Sequence, residues 1–120
     1  MTTLFVYGTL RTGERHWMTY LAPAIGESGT TEPCFTMRDL GRYPAVESNG
    51  SRKIVGEVFH VNDQTVERID ALEQHPDWYE RIQIPITLVN GAIQQAWIYL
   101  MPQGQHDNMP CIDSGDWSLR

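Results

Sequence analysis

Apolar positions fall into short runs separated by turn residues, and only one stretch repeats at helical period. Leu4-Phe5-Val6 is an unbroken apolar run, the pattern of a strand buried on both faces, and Tyr7-Gly8-Thr9-Leu10 ends it in a turn. Glu14 to Leu21 predicts a short helical turn closed by Pro23. Residues 33–47 carry Pro33, Gly41 and Pro44 between apolar pieces and predict strand plus loop. Ser48-Asn49-Gly50-Ser51 reads as a turn, and Ile54 to Val61 as a strand, with Gly56 marking a bulge or a close approach.

Val66, Ile69 and Leu72 are spaced for one face of a helix that Asn62 or Asp63 can cap. Pro76 disfavours helical geometry at His75, so this helix should end near Glu73 or Gln74. Ile82, Ile84, Ile86 and Leu88 alternate as a strand in which Pro85 marks an edge or a bulge. Asn90-Gly91 predicts a type I′ hairpin into a returning strand, Ala92 to Leu100. The tail from Pro102 reads as polar and irregular. These elements predict a mostly β, α+β fold. A small closed or highly curved sheet with helices outside fits best, and an open sheet covered on one face is the alternative.

Composition narrows the class. The 120 residues are expected to form a single domain, 1–120, and 41% hydrophobic residues suffice for one core. A net charge of −6, with basic residues scattered singly apart from Arg52-Lys53, argues against a nucleic-acid partner. No apolar run is long enough to span a bilayer, and residues 1–20 hold no basic-then-apolar leader. Cys34 and Cys111 lie in no metal or redox spacing and suit free thiols in a reducing compartment. A cytoplasmic location is expected.

Three places could carry chemistry. Successive amides in the Tyr7–Leu10 turn could bind an anion such as a carboxylate, or the turn could be ordinary structure. Glu73 falls in the last turn of the helix, where the macrodipole disfavours a carboxylate and raises its pKa. That suits a general acid/base, although a solvated glutamate at a frayed end has the same position. Tyr79 and Arg81 share a strand face; they either line a site together, or Arg81 pairs with an acid while Tyr79 fills the core rim. Glu57, on a largely apolar strand face, suits a structural pairing with an arginine or backbone amides. His16, His60, His75 and His106 show no metal-ligand spacing, and no glycine-rich nucleotide loop is present, so no metal and no cofactor is expected. Thr9 is a conceivable hydroxyl nucleophile, but nothing in the sequence sets a histidine beside it.

Several segments together resemble the γ-glutamylcyclotransferase-like family, which includes the γ-glutamylamine cyclotransferases and related small bacterial proteins. They are Val6-Tyr7-Gly8-Thr9-Leu10-Arg11, Val55-Gly56-Glu57-Val58-Phe59, and Ile69-Asp70-Ala71-Leu72-Glu73 followed by Tyr79-Glu80-Arg81. Leu40-Gly41-Arg42-Tyr43-Pro44-Ala45 adds a weaker match, and Ser114-Gly115-Asp116-Trp117 looks like the bacterial branch.

The resemblance implies a small mixed β-barrel with flanking helices. It further implies a cavity where the Tyr7–Leu10 loop holds the α-carboxylate end of a γ-glutamyl group and Glu73 is the catalytic carboxylate. The substrate's own α-amine would attack its γ-carbonyl, releasing an amine and 5-oxoproline. Tyr79 and Arg81 would line the substrate site, with Tyr79 a candidate donor to the oxyanion, and the partner is a small molecule. The rival from another class is a non-catalytic binding protein for a small carboxylated metabolite. One departure stands out. Family members with established activity often carry Gly after the acid, and here the chain reads Gln74-His75-Pro76.

Overall fold

The N-terminal apolar run becomes β1 (Thr2–Val6), whose side chains serve two cores by alternation. A computed structural model describes residues 1–120. Phe5 points into a barrel interior with Val58, Ile86, Ala96 and Ile98, while Leu4 and Val6 pack outward beneath the long helix. Both faces are buried, which is why the run is continuous rather than alternating.

The other elements are α1 (Trp17–Tyr20), β2 (Glu27–Thr30), β3 (Phe35–Asp39), β4 (Pro44–Arg52) and β5 (Val55–Val61). They are followed by α2 (Asp63–Glu73), β6 (Glu80–Leu88) and β7 (Ile93–Leu100). Strands in the order β1-β5-β2-β6-β7 close into a barrel, and β3-β4 form a separate two-stranded sheet. All barrel pairings are antiparallel except the closing one, where β1 meets β7 in parallel at Leu4 and Trp97. Closure removes the exposed sheet edges that an open sheet would leave. The fold is a small mixed α+β barrel with helices outside. No helix is long and apolar enough to cross a membrane.

Gly56 is a point of close approach, since a Cβ there would run into the Val6 carbonyl and the Phe5 ring. Pro85 pairs with Gln95 of β7 and lies beyond the short β2–β6 ladder, which engages only Thr87 and Leu88. Its missing N–H therefore breaks no bond on that side.

Two sequence expectations are corrected. Ser48-Asn49-Gly50-Ser51 is not a turn but extended strand within β4, with the Thr36 hydroxyl donating to the Asn49 carbonyl at 2.6 Å. The β6–β7 hairpin is not type I′, because only Gly91 has positive φ (90°) and Asn90 does not. The Gly91 amide donates to Leu88 at 2.9 Å and the Leu88 amide to Ala92 at 2.8 Å. That is the three-residue loop ending in a left-handed glycine, which matches strand twist equally well.

Helix α2 brings the fold to its site. The Asn62 side chain caps it by accepting from the Thr65 amide at 2.8 Å, and Val66 and Ile69 bury its inner face. It stops because Gln74 is left-handed (φ 56°, ψ 44°). The His75 amide then returns to the Asp70 carbonyl (2.9 Å) and the Gln74 amide to the Ala71 carbonyl (3.2 Å), the paired bonds of a Schellman ending. Position 74 is thus the one that glycine most easily occupies. The departure from the family pattern there concerns backbone conformation first, and Glu73 ends the helix all the same.

Candidate active site

A cavity of about 240 Å³ opens between the end of β1, the end of α2 and the start of β4. Tyr7, Gly8, Thr9 and Leu10 line one wall, and Leu72, Glu73 and Gln74 another. Tyr43, Pro44, Trp78, Tyr79 and Tyr99 complete it, with Arg15 and His16 also in the lining. Mostly apolar walls with a few polar groups are the usual make-up of a small-molecule site.

The first wall is a grip of backbone. The chain turns after β1, with the Arg11 amide donating to the Gly8 carbonyl at 3.0 Å. The amides of Gly8, Thr9 and Leu10 donate to no other group of the chain. Three adjacent donors left free at a cavity wall suit an anion with several acceptor atoms. Gly8 is required there, because a Cβ would come within 2.7 Å of Pro44 Cδ, so Pro44 packs directly on the turn. Beyond the grip, Arg11 pairs with Asp116 at 2.7 Å and the Thr12 amide donates to Glu57 at 2.6 Å. Glu57 therefore anchors the loop, the backbone pairing its strand position suggested, and the Ser114–Trp117 segment anchors Arg11.

The second wall holds the acid. Glu73 is half-buried and makes no side-chain hydrogen bond or ion pair. Burial pushes its pKa up to about 7. A carboxyl group near neutrality is half charged at ordinary pH, so it can both take and return a proton. Tyr7 and Tyr79 are held well above the usual phenol value, by burial first and by neighbouring groups including Glu73. They stay neutral beside it.

Around these walls the tyrosines act as braces. The Tyr7 hydroxyl donates to the Tyr99 carbonyl at 2.6 Å, and the Tyr79 hydroxyl to the Pro44 carbonyl at 2.8 Å. A phenol has one proton to donate. With Tyr79's directed to Pro44, its geometry fixes the Tyr43–Pro44 wall instead of offering an oxyanion donor.

Arg81 does not join the lining. Its guanidinium makes two bonds to Asp70, at 2.9 and 3.2 Å, and lies 4.8 Å over the Trp97 ring. Asp70 also accepts from the Tyr99 hydroxyl at 2.5 Å. Burial alone would raise the Asp70 pKa, but bonds from Arg81 and Tyr99 outweigh it and hold the carboxyl below its usual value. Of the two readings of the Tyr79–Arg81 pair, the arginine follows the acid-pairing one, because Asp70 sits one helical turn before Glu73 and faces β6 and β7. Tyr79 meets both readings, buried yet on the cavity wall.

Sequence reasoning missed His16. Its Nδ1 lies 2.7 Å from the Thr9 hydroxyl, and its amide donates to the Thr9 carbonyl at 2.9 Å. The seven-residue separation carries no motif, and only the successive turns between them, with the Arg11 amide donating to Gly8 and the Glu14 amide to Arg11, fold the two together. The remaining histidines lie elsewhere: His60 against Thr3, His75 accepting from the Arg81 amide, and His106 edge-on to Trp78.

The model of the family described as "Gamma-glutamyl cyclotransferase, AIG2-like" matches residues 4–119. The chain belongs to this family. A Methanocaldococcus jannaschii protein, provisionally named a gamma-glutamylcyclotransferase, is 37% identical over 122 residues, spanning 98% of this chain and 96% of the relative. The gamma-glutamylcyclotransferase family protein YtfP of Escherichia coli is 35% identical over 117 residues, 95% of this chain and 94% of that one. The crystal structure of a mouse AIG2-like protein superposes with a TM-score of 0.81 at 23% identity, over 97% of this chain and 88% of that one, and shares its fold. Family membership assigns the chain to the gamma-glutamyl cyclotransferase type of enzyme.

Proposed function

We propose that this protein converts a small γ-glutamyl amine or peptide to 5-oxoproline and a free amine, with Glu73 as general acid/base. One observation carries the proposal: a carboxyl group poised near pH 7 shares a cavity with three unpaired amides. The amides of Gly8, Thr9 and Leu10 bind the substrate's α-carboxylate and fix that end. The chain then folds back so that the α-nitrogen meets the γ-carbonyl carbon within one molecule, which removes most of the entropic part of the barrier.

The substrate binds with its α-amine as ammonium, and Glu73 takes one proton from it, freeing the lone pair that forms the new C–N bond. Glu73 passes that proton to the leaving nitrogen, then takes the second proton as the ring nitrogen becomes an amide, and the bond to the leaving nitrogen breaks. Two protons pass in turn through Glu73 to the amine, which leaves as ammonium, and the enzyme ends as it began. The braced Tyr7, Tyr79 and Tyr99 hold the wall around this step, and Arg81 acts at a distance by fixing Asp70 on the helix that carries Glu73. The substrate is a small molecule, in keeping with the size of the cavity.

The test is a panel of γ-glutamyl amines and γ-glutamyl dipeptides incubated with the protein and assayed for 5-oxoproline. Release from at least one is expected. Binding of panel members without release from any would favour the non-catalytic binding protein and overturn the proposal.

A further inference from the structure

The Thr9–His16 contact is not needed to explain proton transfer by Glu73, yet it sits in the same lining. The Thr9 hydroxyl has one hydrogen bond, to His16 Nδ1 at 2.7 Å. The ring's other nitrogen has no partner in the chain, and the ring meets Tyr20 edge-on at 6.2 Å. The backbone of the pair is tied as well, by the 2.9 Å bond from the His16 amide to the Thr9 carbonyl. The hydroxyl's direction is therefore set by which partner of this short contact holds the proton.

A hydroxyl has one proton to give, and a neutral imidazole carries its proton on one nitrogen. If Nδ1 is bare, Thr9 must donate to it, and the hydroxyl proton is lost to the cavity. If Nδ1 carries hydrogen, it donates to the Thr9 oxygen and turns the hydroxyl proton toward the cavity. Only the second arrangement adds a donor to the free amides of Gly8, Thr9 and Leu10. A carboxylate accepts and never donates, so its arrival selects that arrangement.

We propose that His16 is a positioning residue that aims the Thr9 hydroxyl at the substrate's α-carboxylate, making the grip tighter when the imidazole is protonated. The inference rests on the carboxylate-binding role given to the Tyr7–Leu10 turn. It adds a residue outside the motif and a pH dependence separate from that of Glu73. Burial and then the neighbouring Arg15 hold the His16 pKa below 6.5, so the free protein at neutral pH has the ring mostly uncharged. The charged and titratable groups that share the cavity lining with it are Arg15, Tyr7, Tyr43, Glu73, Tyr79 and Tyr99, and Tyr20 of α1 meets its ring. Of these, Glu73 also titrates in the relevant window, with its pKa near 7. The test must remove it.

The probe is 5-oxoproline, which keeps the carboxylate and needs no turnover, with 2-pyrrolidinone as the analogue lacking the carboxylate. Binding is measured by calorimetry from pH 8 to pH 5 in Glu73→Gln, alone and combined with His16→Ala, His16→Asn or Thr9→Val. In Glu73→Gln, 5-oxoproline should bind several-fold more tightly as the pH falls below about 6.5, and 2-pyrrolidinone should show no such change. His16→Ala and Thr9→Val should each weaken 5-oxoproline about 10-fold at pH 5, the scale of one hydrogen bond to a charged group. His16→Asn keeps a donor amide for Thr9 without titrating, so affinity should return while the pH dependence stays flat. A purely structural tie would leave affinity and pH dependence unchanged in variants that melt like the parent, and that result overturns the inference alone. Failure of 5-oxoproline to bind the wild type overturns the grip, and the inference with it.

Discussion

Glu73→Gln is expected to lower kcat for 5-oxoproline release by roughly 100- to 10,000-fold, the range for losing a general acid/base. Glutamine has the same shape and can still hydrogen-bond, but it cannot take the proton from the attacking nitrogen or return it to the leaving one. The grip is untouched and a like charge is removed from the cavity, so 5-oxoproline at pH 8 should bind at least as tightly as to wild type. The cavity offers no ready substitute for the acid. Of the other ionisable side chains in its lining, Arg15 is a cation, His16 is engaged with Thr9, the Tyr7, Tyr79 and Tyr99 hydroxyls are directed to protein acceptors, and Tyr43 is a phenol rather than a carboxyl group. Steady-state kinetics on the best substrate of the panel, with the variant's melting curve beside it, makes the measurement. Turnover within a few-fold of wild type would remove Glu73 from the mechanism.

The second large effect concerns stability. Asp70→Asn keeps the side chain's shape but leaves the Arg81 guanidinium without its counter-charge and weakens the bond from Tyr99. Breaking one side of a fully buried ion pair costs roughly 3–5 kcal/mol. Asp70 and Arg81 keep 20% and 23% of their side-chain surface exposed, and water there screens part of the loss. The expected cost is about 2 kcal/mol, or about 5–10 °C in Tm for a chain of this size. Because the folded protein holds the Asp70 pKa down, the pair's contribution is complete at neutral pH and is lost as pH falls through and below the carboxylate range. Urea denaturation at pH 7 and pH 3 should therefore separate wild type from Asp70→Asn at the first pH and narrow the gap at the second. The exposed Arg52–Asp113 pair, at 4.0 Å, is the control, and Asp113→Asn should leave the midpoint unchanged.

How much of this could be read from the chain depended on the range of the interactions. β1, β5, β6, β7 and α2 were legible because their signals are local: apolar runs, alternation, an Asn cap and a proline stop. Glu73 stood out for the same reason, since its place at a helix end is a local property. Ser48–Ser51 misled because these turn-forming residues are carried inside β4, in the irregularity between the Thr36–Glu47 and Phe35–Arg52 pairs with β3, which no local pattern reports. At Asn90-Gly91 the turn's existence was legible and its type was not, because one positive φ and two differ only in geometry.

The cavity itself was legible in part. Its two functional walls carry the quoted motifs, whereas Tyr99 enters through the register of β7 against β6 and Trp78 through the loop leaving α2. Arg81 could be assigned to Asp70 only once the helix was laid on the barrel. His16 lacked any signal, being drawn to Thr9 by the successive turns that precede α1.

If Glu73 near neutrality drives cyclisation, its titration must appear in the pH dependence of kcat/KM. The reactive complex has one net protonation state, with the α-ammonium facing ionised Glu73 or the neutral amine facing protonated Glu73. Free enzyme with Glu73 protonated must lose that proton before accepting the substrate's ammonium form, so kcat/KM should rise with pH through about 7. It should fall again once the free substrate's own ammonium group deprotonates. The rising limb should be missing from whatever residual activity Glu73→Gln retains. A wild-type profile flat between pH 5.5 and 8, or one whose limb near 7 survives in Glu73→Gln, would contradict the account.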